Sequence, residues 1–196
     1  MPSLAHQIWH TVRSSRLDEI LHAHAAVLRA APEERQPARQ LTHAYAILLA
    51  VEFQGFCRDL HSEISVHLAT WAAQHHAQLA EIVQDRLLDG RKLSQGGPNS
   101  AHVGSDFGRF GIDFWHLVDC QWPDAPAARR RLDELVRCRN AIAHSDFTVV
   151  PSGRQLDPEL GDVRGWHENC DLLVEAFDAI TGEFLLEFVG PDWAWS

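Results

Sequence analysis

The chain has 196 residues, of which 45% are hydrophobic and 22% charged, and a formal net charge of -10. That length allows one domain with a sizeable core, here taken as residues 1–196, and the composition is that of a folded globular protein rather than a disordered one. The acidic balance excludes a protein that coats nucleic acid by charge alone, though not a local basic cleft.

Four cysteines, Cys57, Cys120, Cys138 and Cys170, are widely spaced. No C-x-x-C occurs, so neither a zinc ribbon nor a redox pair is indicated, and free thiols in a reducing cytosol follow. Met1 to His6 contains no basic region leading into an apolar run, so no signal peptide is expected. The longest apolar run, Ala44 to Phe53, contains Glu52 and is too short for a bilayer. The expectation is a cytoplasmic protein with no membrane partner.

Helical periodicity runs through the chain. Leu4, Ile8, Val12, Ile20, Leu21, Val27 and Leu28 form one stripe, with Ser3 as a candidate cap. After the polar break Pro32 to Pro37, a second helix is predicted over about Ala38 to Ala73, with Leu41, Ala44, Leu48, Val51, Phe56, Leu60, Ile64 and Leu68 as its apolar set. Gly55 is a candidate bend in so long a helix. A third helix covers Leu79 to Leu88 and closes at Asp89-Gly90.

Gly90 to Gly108 reads as a glycine-rich loop, long enough to be functional or mobile. Phe110 to Val118 has the makings of a short helix. Pro123 or Pro126 opens the next helix, Ala127 to about Ala143. Thr148 to Gly161 is a second loop, and only Phe147 to Val150 is strand-like, too little for a sheet. A last helix spans about Asp162 to Phe188, followed by an aromatic tail. The class is all-α, a bundle of four to five main helices with long loops.

Arg139-Asn140-Ala141-Ile142-Ala143-His144 closes the penultimate long helix. A guanidinium is a permanently charged fork suited to phosphate. An imidazole exchanges protons near neutral pH. Together they are a minimal set for phosphodiester chemistry. The stretch resembles the Arg-x4-6-His signature of the HEPN superfamily, in the Arg-Asn-x-x-Ala-His form common in bacteria. Val51 to Leu60 is similar to the segment that precedes the motif in one bacterial HEPN group, and the likeness in architecture covers about Leu41 to Ile180.

The resemblance implies a metal-independent endoribonuclease, a toxin or phage-defence effector, working as a homodimer on RNA. Arg139, Asn140 and His144 are the implied catalytic residues. A nucleotidyltransferase-type antitoxin is the partner that some such toxins have. It equally admits an inactive dimerisation or nucleotide- and RNA-binding module, and a plain helical interaction protein is the third reading. Positions five apart on a helix lie roughly 140° from each other. Arg139 and His144 of one chain therefore do not share a face, whereas Asn140 and His144 do. Two motifs meeting across a two-fold axis would resolve this.

Two residues are supporting candidates. Arg137 lies on nearly the same face as His144, its bland reading being an ion pair with Asp133. Glu52 interrupts an apolar helix and is either exposed or a buried acceptor that orients Arg139 or His144. Arg129-Arg130-Arg131 reads more simply as a solvated face, with Arg130 paired to Glu134. Arg91-Lys92 is a weaker candidate for phosphate. Of the thirteen histidines, His6 and His10 share a helix face. No His-Glu-x-x-His or facial triad is present, so neither metal nor cofactor is invoked.

Overall fold

A computed structural model describes residues 1–33, 35–145, 147, 157–190 and 193–195. The described residues form helices and no strand. The first helix runs through α1 (Leu4–Ile8), a π-helical turn (Trp9–Arg13) and α2 (Ser14–Ala30). Then come α3 (Arg35–His75), α4 (Ala77–Leu88), α5 (Ser100–Phe107), α6 (Phe114–Gln121), α7 (Ala125–His144) and α8 (Leu160–Val189). The all-α class holds, but with α1 and α2 taken as one there are seven helices among the described residues, not four to five. Thr148 to Val150, most of the expected second loop, and part of the tail lie outside the described residues.

The difference in count arises largely between Gly90 and Gly108. That stretch holds a 3₁₀ turn (Lys92–Ser94) and α5. Its glycines and asparagine look like loop residues, yet Asn99 is the N-cap of α5, its side chain accepting from the His102 amide at 2.8 Å. Gly104 is a packing glycine, since a Cβ there would overlap the Trp115 ring.

The first helix also departs from its predicted stripe. Leu4, Val12 and Leu28 are exposed, while Ala5, Trp9, Leu17 and His24 are buried. The π turn accounts for this. Its i→i+5 bonding accommodates one extra residue, so positions four apart stay on one side where an ideal helix would rotate them away.

Helix α3 is 41 residues long and continuous through Gly55. It packs against α1, α2, α4, α5, α7 and α8, so it is buried on more than one face. Its C-terminal half follows the predicted set, with Phe56, Leu60, Ile64 and Leu68 buried. In its N-terminal half Tyr45, Leu49 and Phe53 are buried and Val51 is exposed. Phe177 of α8 is the aromatic hub of the core. Its ring lies 4.8 Å from Phe114, 5.4 Å from Trp115, 5.9 Å from Phe107, 6.1 Å from Phe53 and 6.4 Å from Phe56. Truncation of such a residue costs about 3–5 kcal/mol. No helix among the described residues is long and apolar enough to cross a membrane.

Buried polar groups tie the glycine-rich stretch to α3. The fully buried Asp106 accepts from the Lys92 and Leu93 amides at 2.9 and 2.7 Å. Gln54 donates to the Leu93 and Gly96 carbonyls. His61 donates from Nε2 to the Asp106 carbonyl at 3.1 Å and packs against Phe107 and Phe110. Burial, reinforced by the nearby Arg91 charge, pushes the His61 imidazole down from 6.5 to about 4. The unfolded chain therefore binds a proton between those values that the folded chain refuses, so stability falls as pH drops from 6.5 towards 4. Chemical denaturation across that window should show the loss, and His61→Gln should reduce it by roughly 1–3 kcal/mol at pH 4. An unchanged pH slope in His61→Gln would place the acid sensitivity elsewhere.

Candidate functional site

Helix α7 starts at Ala125 with Pro126 in its first turn, where a missing amide proton is harmless. Ala125, Ala128, Leu132, Leu135, Val136, Cys138 and Ala141 are its buried positions and pack it against α3 and α8. The helix ends at His144, and Ser145 caps it in the left-handed conformation at φ 53°. Ser145 is the one non-glycine residue with positive φ among those described. A serine there costs about 1–2 kcal/mol relative to a right-handed conformation, so the chain is forced into a sharp exit directly after His144.

Arg139 lies at the end of the buried stripe and is half-buried, while Asn140 and His144 stand exposed on the outer face. Arg139 Nη1 donates to Asn140 Oδ1 at 3.0 Å. The bond links a side chain at the edge of the packing stripe to the exposed one that, by helical spacing, shares a face with His144. Arg137 is exposed on that same outer side, and its Nε donates to the Asp133 carbonyl at 3.3 Å. The Asp133 carboxylate is engaged by Ser100, accepting from its amide at 2.8 Å and its hydroxyl at 2.7 Å.

The other basic candidates have structural partners. Arg129 pairs with Asp119 at 3.2 Å and lies 5.1 Å from the Trp115 ring centroid, clamping α7 to α6. Glu134 pairs with Arg131 at 3.3 Å, not with Arg130 as the spacing predicts. Arg91 is buried and donates to the Arg58 carbonyl, Ser62 Oγ and Ser94 Oγ, which makes it a strut for the glycine-rich stretch.

Glu52 is 3% exposed, so it is the buried acceptor that its sequence position allows. Its partners come from the first helix: Arg13 Nη1 on Oε2 at 2.5 Å and Arg16 Nη1 on Oε1 at 3.0 Å. Arg13 also reaches Asp59 at 2.6 Å. Gly55, between the two carboxylates on α3, has no bend to make; a Cβ there would overlap the Arg13 guanidinium.

One group near the motif has no sequence signal. Three residues beyond His144, the Phe147 ring stacks on His43 at 5.6 Å and 27°, with the Arg39 guanidinium 5.9 Å from its centroid. Asp157 accepts from His43 Nε2 at 2.8 Å and pairs with Arg39 at 2.7 Å. Burial pushes the Asp157 carboxyl up, but hydrogen bonds from Arg39 and His43 outweigh it and hold the group below the ordinary 3.8. The cluster anchors the chain on both sides of residues 148–156 to the N-terminal part of α3. Arg39 and His43 lie 118 and 114 positions from Asp157, so periodicity could not reveal the pairing.

Compared with protein-family models, curated proteins and solved structures, the chain gives no significant match.

Glu52 and Arg139 should separate cleanly by stability. Glu52→Leu leaves the Arg13 charge without its buried partner and should cost about 3–5 kcal/mol. Arg139→Ala, which truncates a half-buried side chain, should cost no more than about 1 kcal/mol. Urea unfolding at neutral pH measures both; equal effects would mean that Arg139 belongs to the structural network.

Proposed function

We propose that the chain is a HEPN-type endoribonuclease that acts as a homodimer, with its centre at the exposed end of α7. The observation that carries this reading is the Arg139–Asn140 hydrogen bond, which links a half-buried guanidinium to the exposed Asn140, one turn before the exposed His144. A guanidinium carries five donors in a planar fork, the geometry that suits phosphoryl oxygens, and that bond takes one of them.

RNA carries its own nucleophile. The 2′-hydroxyl attacks phosphorus as one His144 removes its proton. The bond to the 5′-oxygen breaks, and a second His144 across the dimer supplies the proton to the leaving oxygen. Arg139 stabilises the charge that builds on the non-bridging oxygens. Asn140 positions Arg139. The products are a 2′,3′-cyclic phosphate and a 5′-hydroxyl. The internal nucleophile removes the need for a metal-activated water. A toxin or defence role, with a nucleotidyltransferase-type antitoxin, fits this chemistry. In the second reading, an inactive binding module, the same arginine serves to bind RNA or nucleotide without cleavage.

Purified protein, RNA and chelator suffice for the test. His144→Ala should lower cleavage by about 100-fold or more while helicity and oligomeric state persist. Arg139→Lys should be nearly as damaging as Arg139→Ala, because a point charge cannot replace the planar fork. Arg137→Ala should do much less. Mixed His144→Ala and Arg139→Ala protomers should recover partial activity, and a deoxyribose at the cleaved position should block cutting without blocking binding. Wild-type rates in His144→Ala, full activity in a monomer, or cutting of an all-deoxy strand would overturn this assignment; binding without cleavage would favour the second reading.

A further inference from the structure

The first helix lies antiparallel along one face of α8. Asp171, Glu175 and Asp178 recur there at spacings of four and three, one stripe of a helix. Asp171 accepts from Trp9 Nε1 at 2.7 Å, and Asp178 accepts from the Ser3 amide at 3.0 Å. Between them a single oxygen, Glu175 Oε1, lies 2.8 Å from His6 Nε2 and 2.9 Å from His10 Nε2. The two imidazole rings are 4.6 Å apart. The three candidate ligand atoms lie within 4.8 Å of one another.

We propose that His6, His10 and Glu175 form a binding site for one divalent transition-metal ion of the zinc class. Two imidazoles one turn apart and a carboxylate are a donor set that zinc takes with three protein ligands and an open fourth position. Tetrahedral coordination at about 2.0–2.1 Å sets ligand atoms roughly 3.4 Å apart. The two imidazole–carboxylate spacings widen by about half an ångström to reach this, and the two imidazole nitrogens, within 4.8 Å of each other, move to the same separation; His10 and Glu175, 41% and 47% exposed, have room to adjust around the less exposed His6, at 15%. The ion replaces the N–H protons that now bridge the imidazoles to the carboxylate.

Charge favours it. Glu63 accepts from the Leu4 and Ala5 amides at 3.0 and 2.6 Å, so four carboxylates surround the first turns of the chain. Arg13, the arginine that follows on this helix, is taken by Glu52 and Asp59. A bound dication reduces that surplus and staples the first helix to α8. The site uses different residues from the α7 motif, and its test involves no RNA.

The rival for zinc is His116 with Cys120, whose sulfur lies 3.7–3.8 Å from the ring nitrogens on α6. Chelator-stripped full-length protein is titrated with zinc chloride by calorimetry. Wild type and Cys120→Ser should each take up about one equivalent. His10→Ala and Glu175→Gln should weaken binding at least ~10-fold, the scale seen when a metal site loses even an outer-shell partner. Zinc should raise the thermal midpoint of wild type and of Cys120→Ser but not of the two site variants, each checked for native helicity by circular dichroism. Cobalt should give visible d–d bands without a thiolate charge-transfer band. Wild-type affinity in Glu175→Gln, loss of uptake in Cys120→Ser, or no stoichiometric uptake at all would overturn the proposal.

Discussion

A carboxylate buried in the helix on which the others pack must be paired, and the arrangement of the N-terminal half follows from how Glu52 is paired. Stripped of its partners, a buried charge costs several kcal/mol. The π turn holds Ala5, Trp9, Arg13 and Leu17 on the side of the first helix that meets the core, so one turn supplies both an indole for packing and a guanidinium for Glu52. Gly55 lets that guanidinium lie against the α3 backbone, where it spans Glu52 and Asp59. With Arg13 fixed, the helix is set against α3 on one side, and Trp9, His6 and Ser3 reach the acidic stripe of α8 on the other. Neighbouring residues of one helix thus serve two interfaces by polar contacts.

The same constraint explains what could be read from the sequence. Where a helix has one buried face and ideal geometry, the sequence suffices: the second half of α3 buries its predicted set, and α7 runs Ala125–His144 where Ala127 to about Ala143 is expected. Where the helix departs from 3.6 residues per turn, or is enclosed by neighbours on several sides, periodicity fails. The first helix buries Trp9 and exposes Val12 because of the π turn, and the N-terminal half of α3 shifts its buried set onto Tyr45, Leu49 and Phe53. Helix α5 was hidden because its glycine and asparagine serve packing and capping there. That Glu52 is an interior acceptor could be inferred from an acid in an apolar run; that Arg13 and Arg16 are its donors depends on tertiary contacts across 39 and 36 positions. The His43–Asp157 pair, 114 positions apart, was out of reach for the same reason.

At the end of α7 the two arginines differ in a way that spacing alone does not convey. Arg137 and His144 sit on the outer face, where helical geometry puts them, but Arg137 is turned back to the Asp133 carbonyl, one turn earlier. Arg139 begins at the edge of the inner stripe and is bonded to the exposed Asn140. A side chain held by a neighbour has already lost part of its rotamer freedom, which for a free arginine costs up to about 2 kcal/mol on immobilisation. Both arginines are partly held in this way, Arg137 by the Asp133 carbonyl at 3.3 Å and Arg139 by the Asn140 amide oxygen at 3.0 Å, but only Arg139 is held by a side chain of the outer face. The polar residue directly after Arg139 thus has a physical role within one chain: it holds the guanidinium of a side chain that starts at the edge of the packing face.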